Sequence, residues 1–417
     1  MSRLLKRFPA LKGLVRRPPG VYASARRFIE QFNDLDLEHR QKLQSDRLRW
    51  LLRRTGRSGQ RLEDLPFTDK SDLRARPADY LGRSLLPVSR AATSGTSGEP
   101  LRVVRSLNSV VFEQASIDWA VKQAGHDLST ERLAILRASD ITGHRQGSTA
   151  GVLGEGGRVL VLPTNDLSPD TFPDFLAALR AFKPSILCVL PSSGAYLADL
   201  AMERRAELEI PLVLSSSEVL SPIIRQKMQN AFNCRTVDFY GQAERVAAAY
   251  STVPGQYWFL PSYGVTELVR QDDGWQVTGT NLHNTAQFLP RYRTGDLLTG
   301  RLTPAEAERI EAGVSPFGGI EGRRDDVLVG HDGRKFIAMN HVPHGLERYG
   351  RFQFVQDRPN HALVRVAGWA PEVQNQPEPV LERVRLKVPP DFALEVEFAT
   401  ALERGAAGKT PFIIRRF

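Results

Sequence analysis

Three short apolar runs decide the fold: Ser185-Ile186-Leu187-Cys188-Val189-Leu190, Leu212-Val213-Leu214-Ser215 and Thr236-Val237-Asp238-Phe239-Tyr240. Each is too short for a helix and mostly apolar, so each predicts a strand covered on both faces. The segments between them have helical spacing. Asp174–Phe182 places Phe175, Leu176, Leu179 and Phe182 on one face, and Ser193–Ala206 reads as a second helix. Ser221–Phe232 is a third, opening with Ser221 at the N-cap and Pro222 at the first helical position. Strands alternating with amphipathic helices predict an α/β architecture, a parallel sheet with helices on its faces.

In such sheets ligands bind beyond the carboxyl ends of the strands. Three polar clusters fall there: Pro191-Ser192-Ser193, Ser216-Ser217-Glu218 and Tyr240-Gly241-Gln242-Ala243-Glu244. Their succession predicts one shared pocket, with an acid-binding part near Ser139–Gly143, Pro191–Gly194 and Ser215–Glu218.

Upstream, Thr93-Ser94-Gly95-Thr96-Ser97-Gly98-Glu99-Pro100 has the character of an anion-binding loop. Its glycines let the backbone approach an anion closely, and Ser94, Thr96 and Ser97 add hydroxyl donors. It is not a Walker loop, since no Gly-Lys-Ser/Thr follows. Helical spacing recurs over Asp34–Thr55, with Leu37, Leu48, Leu51 and Leu52 on one side, and over Ser109–Gln123. Downstream, Tyr257–Leu298 reads as a β subdomain, with Asp272-Asp273-Gly274 turning between Gly264–Arg270 and Trp275–Thr280. A charged boundary at Gly322–Asp326 precedes a small α+β unit. The expected division is a basic helical segment at 1–60, a large domain at 61–324 and a small mobile domain at 325–417.

Composition limits the function classes. With 41% apolar and 25% charged residues the chain is globular, and no apolar run approaches the roughly 18 residues a membrane span needs. The first residues lack the apolar core of a signal peptide, and two cysteines are too few for a cysteine-based zinc site, so free thiols and the cytoplasm are expected. Charge is uneven. Residues 1–61 carry sixteen Lys and Arg against five Asp and Glu, while the whole chain is only +9. That asymmetry keeps open a surface for nucleic acid or acidic membrane beside a solvated helical face, although no nucleic-acid motif accompanies it. His126, His144, His341 and His344 have no metal-ligand spacing.

Four motifs stand in order: TSGTSGEP at 93–100, FYGQAER at 239–245, RYRTGDL at 291–297 and GRRDDVL at 322–328, followed by Gly408-Lys409. Together they resemble the AMP-forming adenylating enzymes, the superfamily of acyl-CoA synthetases, adenylation domains and luciferases. Pro66–Leu73 and Thr280–Asn284 resemble the phenylacetate–coenzyme A ligase branch, especially its relatives in capsular polysaccharide biosynthesis.

The resemblance implies an enzyme using ATP and Mg²⁺. Such an enzyme activates a carboxylic acid as an acyl-adenylate, releases pyrophosphate, and passes the acyl group to a thiol or an amine. The thiol would be coenzyme A or a carrier protein, and the amine that of an amino sugar. Thr93, Ser94, Gly95, Thr96, Ser97 and Gly98 would cradle phosphates, with Ser217, Glu218, Gly241 and Gln242 around the nucleotide. Glu244 would hold the metal, Tyr240 would stack on adenine, and Asp296 would bind the ribose hydroxyls. Arg323 would meet ribose or α-phosphate, Lys409 would neutralise the reacting pair, and Asp325 would be the hinge.

The chain departs from the pattern at three places. Glu99 stands where many relatives have Lys, leaving Arg102 or Arg105 as substitute cations; Ala243 stands for Ser or Thr; and the tail is short, which bears on coenzyme A binding. A nucleotide-binding homologue without turnover, and an Arg-rich binding protein, are the alternatives.

Overall fold

The computed structural model describes residues 16–82, 84, 88–92, 101–137, 151–271, 274–323, 328–331, 335–336, 339, 342–343, 346–385, 388–403 and 410–417. By internal contacts these form two compact units. The larger comprises the described residues up to 92, with 102–294 and 298–320; the smaller comprises Leu101, 295–297 and the described residues from 321 on.

Helices α1 (Pro19–Asp34) and α2 (Leu37–Arg54) open the larger unit. The continuous helix expected over Asp34–Thr55 is therefore broken at its start. Asp36 adopts an extended conformation and its side chain accepts from His39 N, capping α2. A short helix, α3 (Lys70–Ala75), is held by a capping box between Asp69 and Asp72. Strands β1 (Val88–Ala92) and β2 (Arg102–Ser106) pair antiparallel from Val88↔Ser106 to Ala92↔Arg102. Ser106 then caps α4 (Leu107–Lys122).

Among the described residues the central sheet has eight strands. After β3 (Leu133–Arg137), β4 (Val152–Gly154) and β5 (Val159–Pro163), the chain alternates as the sequence implies: α5 (Phe172–Phe182), β6 (Ile186–Val189), α6 (Pro191–Glu203), β7 (Leu212–Ser216), α7 (Pro222–Phe232), β8 (Arg235–Gly241). It then reverses through β9 (Ala248–Val253) and β10 (Gln256–Phe259), giving the order β10-β9-β8-β7-β6-β3-β5-β4. Strands β5, β3, β6, β7 and β8 are parallel, and both margins are antiparallel.

The unbroken apolar runs are explained by the two faces. Leu187, Val189 and Val213 pack with Phe175, Leu179, Leu197, Met228 and Phe232 on one side. Ile186, Leu212, Leu214 and Val237 pack on the other with Phe112 and Val121 of α4 and Ile29 of α1. Ser221 caps α7 as expected, its hydroxyl accepting from Ile224 N.

Helix α6 begins two residues before the expected Ser193: Pro191, Ser192 and Ser193 are its first turn, and the Ser193 hydroxyl closes that turn on Leu190. Gly194 belongs to the core, because a Cβ there would stand 2.4 Å from Met228 Sδ and 2.9 Å from Val189 Cγ2.

A second sheet runs β11 (Gly264–Gln271), β12 (Gly274–Asn281), β13 (Tyr292–Leu298), β14 (Ile320–Arg323), with α8 (Pro304–Glu311) between its last two strands in sequence. The predicted hairpin is present, in register from Gly264↔Asn281 to Gln271↔Gly274.

The smaller unit is α+β. Strands β15 (Leu328–Val329) and β16 (Lys335–Phe336) pair, and β17 (Arg351–Gln356), β18 (His361–Ala367), β19 (Ala393–Phe398) and β20 (Ile413–Arg415) form a sheet ordered β19-β18-β17-β20. Helix α9 (Glu378–Arg385) adds Val380 and Val384 to a core with Phe352, Phe354, Val364, Val366 and Phe392.

Candidate active site

The carboxyl ends of β7 and β8 lie side by side, with Ser216 opposite Phe239. Beyond that pair Ser217 takes a left-handed conformation, φ 72°, and is exposed, while Glu218 is half-buried. Tyr240 is half-buried, and Gly241 closes β8 against Ala248. The structure thus brings Ser217, Glu218, Tyr240, Gly241 and Gln242 to one edge of the sheet. A tight reversal follows. Arg245, at φ 58°, donates its N–H to Gln242 O at 3.1 Å, and Ala247 N donates to Gln242 Oε1 at 3.3 Å. The next residue, Val246, lies against the second sheet so closely that a Cβ on Gly264 would stand 2.1 Å from Val246 O. Backbone cannot yield there, which is why β11 begins with glycine.

Glu244 sits in this reversal and is only 2% exposed. Tyr292, the first residue of β13, donates its hydroxyl to Glu244 Oε1 at 2.8 Å. Glu244 Oε2 is buried without a hydrogen-bond partner among the described residues. Just before it, the Ala243 carbonyl accepts two N–H groups from Arg105 of β2, Nε at 2.9 Å and Nη2 at 2.6 Å. Just after it, Arg245 donates Nη1 to Ser109 O at 2.6 Å and faces Glu113 Oε2 at 3.8 Å, an oxygen that also accepts from the Tyr263 hydroxyl.

Two guanidinium groups and two carboxylates are thereby gathered, Glu244 buried and the other three half-buried. Burial, and then the neighbouring Arg245 cation, pull Arg105 down to about 10, opposed by Glu113, Tyr263 and Glu244. Burial drives the Tyr263 phenol well above its ordinary value, reinforced by Glu113. The arrangement fixes a carboxylate at the end of the sheet with one oxygen committed and one open.

Thr93 to Gly98, Ser139 to Gly143, Asp325 and Lys409 lie outside the described residues, as do His144, His341 and His344. Asp296 is buried in β13, and the backbone of Arg323 lies in the adjacent β14. Of the two substitute cations, Arg102 is exposed at the start of β2 and Arg105 is engaged on Ala243. His126 faces Glu131, and the described residues hold no cluster of three or more metal-ligating side chains.

Sequence reasoning missed the scaffold. In 280–284, Asn284 receives Ser106 N and donates to Val104 O, while nearby Gln287 receives Val104 N, so this stretch grips β2. His283 stacks on Phe112 at 3.4 Å with Phe28 edge-on, and burial followed by the Arg47 charge holds it neutral, well below 6.5. The basic N-terminal segment is partly used inside. Arg17 makes two hydrogen bonds of 2.7 Å with Asp118, and Arg47 donates to Leu282 O at 3.0 Å. In RYRTGDL, Arg291 pairs with Glu267 at 2.9 Å and its guanidinium lies over Phe67 at 3.9 Å. These partners are far away in sequence, so no local pattern announces them.

Comparison with known proteins supplies the context. The model of a family described as AMP-binding enzyme matches residues 92–273. No curated protein matches the chain in sequence. Among solved structures, 2-hydroxyisobutyryl-CoA ligase in its postadenylation state with R3-HIB-AMP superposes with a TM-score of 0.59 at 16% identity, over 91% of this chain and 90% of that one. The same ligase with 2-HIB-AMP gives 0.57 at 17% identity, over 91% and 90%. At such identity the likeness speaks for the fold. Residues 92–273 thus match the AMP-binding enzyme family, and the α/β fold is that of the adenylate-forming enzymes.

Proposed function

We propose that the protein is an ATP-dependent ligase that activates a carboxylic acid as an acyl-adenylate and transfers the acyl group to a thiol or an amine. The observation that carries this reading is Glu244: a buried carboxylate within the AMP-binding match, one oxygen fixed by Tyr292 and the other without a described partner. That donor suits a hard divalent cation, which takes one carboxylate oxygen and completes its shell with phosphate oxygens and water. Bound there, Mg²⁺ would neutralise charge on the nucleotide phosphates.

The remaining roles follow the motif order. The 93–98 run receives phosphates; Ser217, Glu218, Gly241 and Gln242 surround the nucleotide; Tyr240 stacks on adenine; Asp296 takes the ribose hydroxyls; Arg323 meets ribose or α-phosphate. Attack of the substrate carboxylate on the α-phosphorus expels pyrophosphate, and Lys409 stabilises the charge that builds there. A thioester or amide then forms as AMP leaves. In this reading 325–417 is a mobile domain turning about Asp325, so that the adenylate forms shielded from water and then meets its acceptor. Coenzyme A, a carrier-protein thiol and the amine of an amino sugar are the acceptors to compare, within a phenylacetate–coenzyme A ligase-like branch.

The test is pyrophosphate release across a panel of carboxylic acids, with and without thiols and amines. One acid is expected to give metal-dependent release, and Lys409→Ala to lower it by about 10²–10³ with ATP binding nearly intact. Absence of release with every acid, or full release by Lys409→Ala, refutes the assignment.

A further inference from the structure

Glu244 has a mount built from two distant parts of the chain. Tyr292 comes from 48 residues downstream and Arg105 from 138 residues before the carbonyl it holds. Tyr292 is fully buried, so its hydroxyl has no ready exchange with water and fixes Oε1 of the carboxylate. Arg105 delivers two parallel N–H groups to the Ala243 carbonyl, a fork that fixes both distance and direction of the preceding peptide. Arg245 pins the other side to Ser109 O. A carboxylate clamped at one oxygen and at the backbone before and after it cannot turn its second oxygen away. Leaving that oxygen buried and unpaired is costly unless a ligand completes it.

We propose that Tyr292 and Arg105 are positioning residues for Glu244, holding its Oε2 in place for the metal–nucleotide complex. This rests on the proposed function above. It also gives Arg105 a role other than that of a phosphate-binding cation, and gives Ala243 a role through its carbonyl in place of a side-chain hydroxyl.

The two roles separate experimentally because positioning acts on metal-dependent binding and spares the rest. Binding of ATP is measured by calorimetry with Mn²⁺ present and with the metal chelated, alongside thermal unfolding. Tyr292→Phe keeps the ring and removes only the hydroxyl. It is expected to weaken Mn²⁺-dependent ATP binding about tenfold, the scale of one hydrogen bond to a charged group, with metal-free binding unchanged. Arg105→Lys keeps the charge but loses the fork, and is expected to act in the same sense. Tyr257→Phe removes a comparable buried hydroxyl, one that donates to Asp238 Oδ2 at 2.6 Å away from the mount, and is expected to leave the metal dependence as in the parent protein.

An unchanged Mn²⁺ dependence in Tyr292→Phe overturns the proposal, as does an equal loss with and without metal, or an equal loss in Tyr257→Phe. If the unaltered protein shows no Mn²⁺-dependent ATP binding, the parent reading fails, and the mount with it.

Discussion

Replacing Arg17 by Met tests whether the basic N-terminal segment is structural. Arg17 gives Nε and Nη2 to the two oxygens of Asp118, each at 2.7 Å, and Asp118 is 4% exposed against 18% for Arg17. The same carboxylate accepts from Gln114 Nε2 at 2.9 Å and from the Tyr22 hydroxyl. Breaking a buried pair by removing one partner costs about 3–5 kcal/mol, because the other charge is stranded. Here two neutral donors remain on Asp118 and Arg17 touches solvent, so about 2–3 kcal/mol is expected. The assay is urea unfolding followed by fluorescence, in a double-mutant cycle with Asp118→Asn, at low salt and in roughly 0.5 M NaCl. A coupling above about 1.5 kcal/mol that survives salt is expected, since buried pairs are screened little. Retention on heparin should not change, because this guanidinium is already engaged. A loss below about 0.5 kcal/mol, the range of an ordinary surface substitution, together with weakened heparin retention, would refute the reasoning.

Two further outcomes follow from burial. Burial raises the Glu311 carboxyl to about 7, opposed by Leu268 N and helped by Glu267 and Glu308. The folded state therefore holds an extra proton between the ordinary value of 4.5 and about 7, so stability falls as pH rises through that window. Glu311→Gln should match the parent protein near the bottom of the window and exceed it above the top, by about 1 kcal/mol after allowance for partial solvent screening; urea midpoints that differ equally across the window would contradict this. Burial likewise pushes the Cys188 thiol up to about 12 and the Cys234 thiol up to about 11. Both should resist iodoacetamide at mildly alkaline pH until the protein unfolds, and rapid labelling of the native protein would show the thiols to be accessible.

What the sequence revealed depended on where each residue's partners lie. Strands β6, β7 and β8 were legible because both faces are buried, which removes alternation and leaves short apolar runs. The start of α7 was legible because Ser221 and Pro222 act on their own neighbours. The sheet order β5-β3-β6 was not, since pairing Leu133 with both Val159 and Ile186 is a long-range fact. Helix α1 was legible only as part of a basic helical segment, without bounds, its apolar side being completed by α4 through contacts such as Phe28 with Phe112. Within the site, the motif stretches and Glu244 could be picked out by residue type and order. Tyr292 could be read only as part of RYRTGDL, and Arg105 only as a spare cation, because their roles exist through Glu244 and Ala243.

The grip of Asn284 and Gln287 on β2 has a consequence for how the protein is made. Strand β2 leaves the 93–100 run, yet the groups that satisfy Ser106 N, Val104 O and Val104 N are synthesised 178 to 183 residues later. A nascent chain emerging from the ribosome therefore carries the β1–β2 hairpin without its anchor until Gln287 is exposed. Closing so long a loop is slow, and the hairpin should be among the last parts of the larger unit to gain protection from hydrogen exchange. The same reasoning separates two kinds of boundary. A fragment trimmed to the family match at 92–273 would keep Glu244 and lose Asn284, Gln287, Tyr292 and the helices before β1. The span of the family match is shorter than the span its strands are anchored to, and fragments for expression or swapping should be cut to the second.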